Sequence, residues 1–152
     1  MTLPYSNATS GDKALGEIQN ILRQFGCARF GSWLDFETGD LTVQFSHHNQ
    51  TIELRASARG YAQAWLKENP WTSRKQKSKA QWESDALEKG SVAVYSILRD
   101  WIKGQVTAIE TGVLTFEGAF LSHMLLPDGR RVVDYAADQK LLAHTAKDPE
   151  VR

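Results

Sequence analysis

Two runs of alternating apolar and polar residues, near the middle of the chain, constrain its fold more than any other feature. The first covers residues 41–46 and the second residues 51–56. A period of two places the apolar side chains on one face of each strand. A polar turn at 47–50 joins the runs, and a further candidate strand at 27–35 precedes them, before a turn that contains Gly39. The pattern predicts a three-stranded antiparallel meander whose apolar face needs a cover.

Helical periodicity on both sides of this meander supplies the cover. Apolar spacing predicts a first helix over residues 11–25, capped by Ser10 or Asp12 and ended by Gly26. A second helix is predicted over about 59–68, stopped by the proline that follows. A long helical region at about 80–111 comes next, and we expect Gly90 to divide or kink it. Shorter helices are predicted after Thr115 and over about 131–144.

The order of these elements predicts an α+β fold, with an N-terminal helix, the meander, and a C-terminal helical half packed on one sheet face. We expect one globular domain over residues 1–152, with frayed ends at about 1–9 and 145–152. The start of the chain lacks the pattern of a secretory signal, and no segment approaches the ~18–20 apolar residues of a membrane span. With a single cysteine as well, the sequence favours a reducing, cytoplasmic location.

The charge balance limits how the chain could attract a polyanion. It has 18 basic and 18 acidic side chains, so attraction to nucleic acid must come from a local patch. One segment has the composition of such a patch: residues 71–79, which we call the basic loop. The predicted nucleic-acid contacts are Trp71, Arg74, Lys75, Lys77, Lys79 and Trp82.

Two interpretations of the basic loop are open. Its cations could neutralise phosphates with release of counterions, while Trp71 or Trp82 stacks on a base, worth ~1–3 kcal/mol per base. Alternatively the segment is a solvated loop whose tryptophans anchor it to the core. The first interpretation predicts a non-enzymatic accessory protein in DNA transactions.

Three carboxylates cluster around the first turn of the meander, at Asp35, Glu37 and Asp40. Paired carboxylates can hold Mg²⁺ for a nuclease, but the same residue types are typical of glycine-containing turns. We favour the turn and keep a metal-dependent nuclease as a further candidate function. The chain lacks the GxGxxG, GxxxxGK[ST], GxSxG and HExxH motifs, and no cofactor is predicted.

The remaining candidate side chains also favour structural roles. His47 and His48 are adjacent in a predicted turn, where neighbouring side chains usually point apart and rarely hold one metal ion. Cys27 has no base in its local sequence, which favours a small buried hydrophobe over a nucleophile.

A resemblance rests on the order of helix, cap and turn signatures in the C-terminal half. The helical segment at 98–112 reads LRDWIKGQVTAIETG, and TFEGAFL at 115–121 and LPDGR at 126–130 follow it. With the β-hairpin and the segment at 65–79, this order resembles small uncharacterised proteins carried by bacteriophages and prophages. The resemblance assigns no residue roles. It implies an accessory protein acting in a bacterial cytoplasm.

This context adds a second function of a different class. A phage accessory protein could bind a bacterial host protein, for example to inhibit a defence complex. The chain has five tryptophans, and a cluster of them left exposed would mark an interaction surface.

Overall fold

The computed structural model describes residues 2–143 of the chain, and the order of its elements confirms the α+β class. Helix α1 precedes the three strands, and further helices follow them. The elements are α1 (Gly11–Phe25), β1 (Arg29–Leu34), β2 (Leu41–His47), β3 (Gln50–Ala56), α2 (Ala58–Glu68), α3 (Lys79–Glu110), α4 (Phe116–Phe120), a 3₁₀ turn (Leu121–His123) and α5 (Val132–Asp138). No helix in this range is both long enough and apolar enough to cross a membrane.

The three strands form an antiparallel sheet in the order β1-β2-β3. Phe45 at the centre of β2 is paired with Phe30 on one side and with Ile52 on the other. The turn between β2 and β3 is tighter than the predicted 47–50, because His48 and Asn49 take positive φ values of 50° and 63°. Two such residues make a turn whose twist matches that of the flanking strands. His47 therefore belongs to β2.

One face of the sheet is covered by α1 and α3, as the alternating pattern predicts. Ser10 caps α1, since its Oγ accepts the Lys13 N–H at 3.1 Å, and Gly26 ends the helix at φ 99°. The core contains side chains from both layers and from the segment around α4. Its most buried members are Ile18, Leu22, Leu41, Val43, Phe45, Ile52, Leu54, Val94, Ile102, Val106, Phe120 and Met124.

The prediction that Gly90 divides the long helix in two is wrong. Helix α3 runs without interruption for 32 residues, and Gly90 is buried within it. A Cβ atom at this position would lie 2.2 Å from the carbonyl oxygen of Ala58, at the start of α2. The glycine is needed because the backbones of α2 and α3 come into direct contact there.

Helix α5 is shorter than predicted. It ends at Asp138, and Lys140 then takes φ 52° while the Leu141 N–H donates to the carbonyl of Ala136. A left-handed residue after the last turn ends a helix in this way. Leu142, which the predicted helix includes, lies beyond the end of α5 and is 70% exposed. Residue 144 and the predicted frayed end at 145–152 lie outside the described residues.

Residues 2–9, for which the sequence predicts a frayed end, fold back across α2 and α3. The Tyr5 hydroxyl donates to Asp100 Oδ2 at 2.6 Å, and the Tyr61 hydroxyl donates to the Pro4 carbonyl at 2.7 Å. Leu3 packs against the small apolar cluster around Trp65. These contacts join residues 57 to 95 positions apart, which a local pattern does not reveal.

The two glycines in α3 that differ in their surroundings provide a matched test of the α2–α3 contact. Gly90→Ala should lower the free energy of unfolding by about 2–3 kcal/mol, because the added methyl group meets backbone. Gly104→Ala adds the same methyl group where nothing lies within 4 Å. This substitution should raise the free energy of unfolding by about 0.5–1 kcal/mol, because alanine has the higher helix propensity. Urea denaturation measures both. Equal effects of the two substitutions would contradict the close approach.

Candidate nucleic-acid interface

The basic loop connects α2 to α3 and ends at the N-terminus of α3. Ser78 caps that helix, and its Oγ accepts the Gln81 N–H at 3.1 Å. Residues 72–79 are all exposed. The four cations of the loop therefore lie beside the first turn of the 32-residue helix α3. That first turn contains no acidic residue.

The two indoles predicted at this site hold the ends of the loop through their ring N–H groups. Trp71 Nε1 donates to the carbonyl of Lys77 at 2.7 Å, and Trp82 Nε1 donates to the carbonyl of Asn69 at 2.8 Å. Trp82 also packs against Trp65, with 5.2 Å between the ring centroids. Of the two roles predicted for these tryptophans, the geometry supports anchoring over base stacking.

The four cations of the loop have different surroundings. Lys77 forms an ion pair with Asp85, with 2.5 Å between Nζ and Oδ2, and Lys75 lies over the Trp82 ring at 4.9 Å from its centroid. The hydrogen bond from Lys77 lowers the pKa of Asp85 below its usual value. Residues 2–143 provide no carboxylate partner within ion-pair distance for Arg74, Lys75 or Lys79. The loop therefore has an excess of positive charge.

This placement is electrostatically unfavourable in the absence of an anion. A helix N-terminus carries a partial positive charge, so nearby cations oppose it while an anion is stabilised. Backbone N–H groups in the first turn of a helix also donate to phosphate. Asp85 offsets one of the four cations, and a bound phosphate would offset the others. The arrangement is suited to binding a polyanion.

Of the three carboxylates of the possible nuclease site, Asp35 takes part in the β1–β2 turn. Asp35 Oδ1 accepts the N–H groups of Glu37 at 2.8 Å and Thr38 at 3.1 Å, and Gly39 takes φ 76°. This is the turn chemistry that the sequence favoured. Within the described part of the chain, no group of three or more His, Cys, Asp or Glu residues is arranged to hold a metal ion.

The prediction that the His47 and His48 side chains point apart is wrong. Their rings stack at 4.0 Å between centroids, and His47 also stacks on Phe25 at 4.3 Å. The positive φ of His48 turns its ring back over His47. His47 is buried, and its Nδ1 has no hydrogen-bond partner among the described residues. Burial, with the neighbouring His48, lowers the pKa of His47.

Cys27 is half-buried against the core, in agreement with the role of a small hydrophobe. Burial raises the pKa of its thiol to about 11. The thiol is therefore protonated at neutral pH, which is the opposite of what an activated nucleophile needs.

The sequence did not predict a cavity of about 960 Å³, which lies between residues 2–10 and the helices α1 and α3. Three of its charged side chains form ion pairs with one another. Arg99 contacts Glu17 at 3.3 Å and Asp100 at 2.9 Å, and Asp100 also accepts the Tyr5 hydroxyl. Because these residues are distant in sequence, no local signal could have indicated the cavity.

The sequence also did not predict an exposed apolar surface on β1 and the turn after it. Trp33 is 55% exposed, Leu34 38% and Phe36 91%. We call these three residues the edge patch. The pairing with β2 places Trp33 beside Thr42, on the face away from the core, and the sequence alone does not show whether another element covers that face.

No family model, curated protein or solved structure is significantly similar to this chain. The candidate interface has an excess of cations at a helix N-terminus, in a loop whose ends are held by the indole N–H groups.

One buried and one half-buried histidine, His47 and His123, predict a pH dependence of stability. Burial lowers the folded-state pKa of His47 and of His123, so the unfolded chain takes up protons first as the pH falls. The free energy of unfolding should be highest above the ordinary histidine pKa of about 6.5 and should decrease as the pH drops below it. Urea denaturation at a series of pH values measures this loss.

The double variant His47→Phe and His123→Phe is the control for this prediction. It keeps aromatic rings at both positions but removes the titrating groups, so its stability should depend less on pH in the same range. An equal slope in the variant and the natural chain would show that other groups cause the dependence.

Proposed function

We propose that this protein is a non-enzymatic, phage-type accessory protein that acts in a bacterial cytoplasm and binds nucleic acid through its basic loop. The observation that carries the proposal is the position of Arg74, Lys75, Lys77 and Lys79 at the N-terminus of α3, with one carboxylate partner among the described residues. The molecule has no net charge, so this local excess is what would attract a polyanion.

The contacts would be to phosphate and not to bases. Arg74 and Lys79 would bind the backbone directly, joined by the N–H groups of the first turn of α3. Trp71 and Trp82 would act indirectly, since their hydrogen bonds hold the loop in place. Binding of this kind depends little on sequence and strongly on salt.

Fluorescence anisotropy with labelled single- and double-stranded oligonucleotides over a salt series tests the proposal. We expect binding at low salt that weakens as salt rises, with log K falling by about 0.9 per log unit of salt for each duplex phosphate contacted. The triple variant Arg74→Ala, Lys75→Ala and Lys79→Ala should bind more weakly and show a shallower salt slope. No binding at low salt, or an unchanged slope in the variant, would contradict the proposal.

Two further variants make the test specific to this end of α3. Lys103→Ala removes an exposed cation 24 positions further along the same helix, about 36 Å from Lys79, and should leave binding unchanged. Asp85→Asn removes the carboxylate that pairs with Lys77, and should tighten binding. A loss of binding in Lys103→Ala equal to that in the triple variant would place the contact elsewhere.

The exposed edge patch favours a second candidate function, the binding of a protein. In this alternative the chain docks on a bacterial host protein and inhibits it, through Trp33 and Phe36. A pull-down from nuclease-treated bacterial lysate separates the two candidates. A stoichiometric partner that survives nuclease and is lost in Trp33→Ala and Phe36→Ala supports the alternative, whereas loss of every partner on nuclease treatment supports the first.

A further inference from the structure

Strand β1 is a free edge of the sheet within the described residues. It pairs with β2 on one side, while the outer edge of β3 is partly covered by the Leu125 N–H, which donates to the Thr51 carbonyl at 2.8 Å. Edge strands that stay unpaired are commonly protected by lysine or proline, and β1 contains neither. We infer that β1 pairs with β1 of a second copy of this chain, which forms a dimer with a continuous six-stranded sheet.

The hydrogen-bonding groups of β1 have the alternation that such a pair needs. The Asp35 N–H donates to the Asp40 carbonyl across the β1–β2 ladder. Residues at odd positions of β1 therefore bond to β2, and those at even positions present their N–H and C=O groups at the free edge. Phe30, Ser32 and Leu34 are the even positions, and in an antiparallel pair centred on Ser32 each meets an even position of the partner.

The side chains select this register. A two-fold axis at Ser32 places Phe30 opposite Leu34 of the partner subunit, which joins two partly exposed apolar side chains. The same axis places Arg29 opposite Asp35 of the partner subunit, a pairing of opposite charges at each end of the interface. Arg29 has no ion pair within the described residues, and the turn uses only Oδ1 of Asp35. A shift by two residues towards the turn would bring Phe30 to Phe36 and Arg29 to Glu37 of the partner subunit, but both of those residues lie in the β1–β2 turn and not in an extended strand. A shift by two residues the other way leaves Phe30 opposite Ser32 and Arg29 opposite Trp33.

The indoles also fit this register. A Cβ on Gly31 would lie 3.3 Å from the Trp33 ring, so the ring lies over the glycine of its own strand. In the pair, Trp33 stands opposite Gly31 of the partner subunit, and the partner's own indole lies over that glycine. The two indoles would therefore meet side by side across the two-fold axis on the sheet face away from the core, which covers Trp33, now 55% exposed. Leu34, 38% exposed, would be covered on the other face by Phe30 of the partner subunit.

The inference does not rest on nucleic-acid binding, and sedimentation equilibrium of the purified chain without nucleic acid tests it. We expect a monomer–dimer equilibrium over about 1 μM to 1 mM protein. Ser32→Pro deletes an N–H that faces the free edge and takes no part in the β1–β2 ladder, so it should weaken the dimer at least about tenfold. Ser32→Thr keeps the N–H and should still form the dimer.

A pair of charge variants tests the register independently of the proline substitution. Arg29→Glu places like charges together at both ends of the interface and should weaken the dimer. Adding Asp35→Asn in the same chain removes the repulsion, while the asparagine oxygen still accepts the Glu37 and Thr38 N–H groups, so part of the affinity should return. A dimer that is insensitive to Arg29→Glu would overturn this register.

A disulfide across the two-fold axis tests the geometry directly. In a Cys27→Ala background, Ser32→Cys should form an intermolecular disulfide on mild oxidation, because hydrogen-bonded partners have Cα atoms about 5.5 Å apart. The exposed control Gln63→Cys on α2 should not. A chain that stays monomeric over the whole concentration range, or equal cross-linking of the two cysteine variants, would overturn the inference.

Discussion

The direct backbone contact between α2 and α3 at Gly90 is the constraint on which the proposed interface depends. Because a Cβ there would collide with the carbonyl of Ala58, the two helices are held closer than ordinary side-chain packing allows. The segment that joins the end of α2 to the start of α3 must then follow a short path. The hydrogen bonds of Trp71 and Trp82 hold the segment in that position. The result is that a loop rich in cations ends at the N-terminus of the longest helix.

The tryptophans and the cations at this end of α3 have different roles. The indoles contribute to the structure, since their N–H groups satisfy loop carbonyls and Trp82 extends the small apolar cluster around Trp65. The cations gain little from the fold, because the macrodipole of α3 opposes them and Asp85 is their one carboxylate partner among residues 2–143. Groups whose placement is unfavourable for the isolated fold are best explained by a ligand, here a polyanion.

Local patterns predicted the elements well and the contacts between them poorly. The first helix has its predicted bounds because capping by Ser10 and the ending at Gly26 depend on nearby residues. Gly90 was misinterpreted because a glycine that breaks a helix and one that admits a neighbouring backbone look alike in sequence. The basic loop was recognised from composition, but the ion pair of Lys77 with Asp85 depends on where the helix places the carboxylate. The free edge of β1 follows from the strand order, which the meander predicted, yet its exposure depends on how far the helices reach.

The central claim is that the basic loop and the first turn of α3 form a preformed phosphate-binding surface. Amide NMR spectra recorded while a short oligonucleotide is added test it most directly. The account predicts that the amide signals of residues 74–81 shift first and by most, while the signal of Gly104 on the same helix stays in place. Shifts centred on β1 or on the N-terminal cavity, or no shifts at low salt, would contradict it.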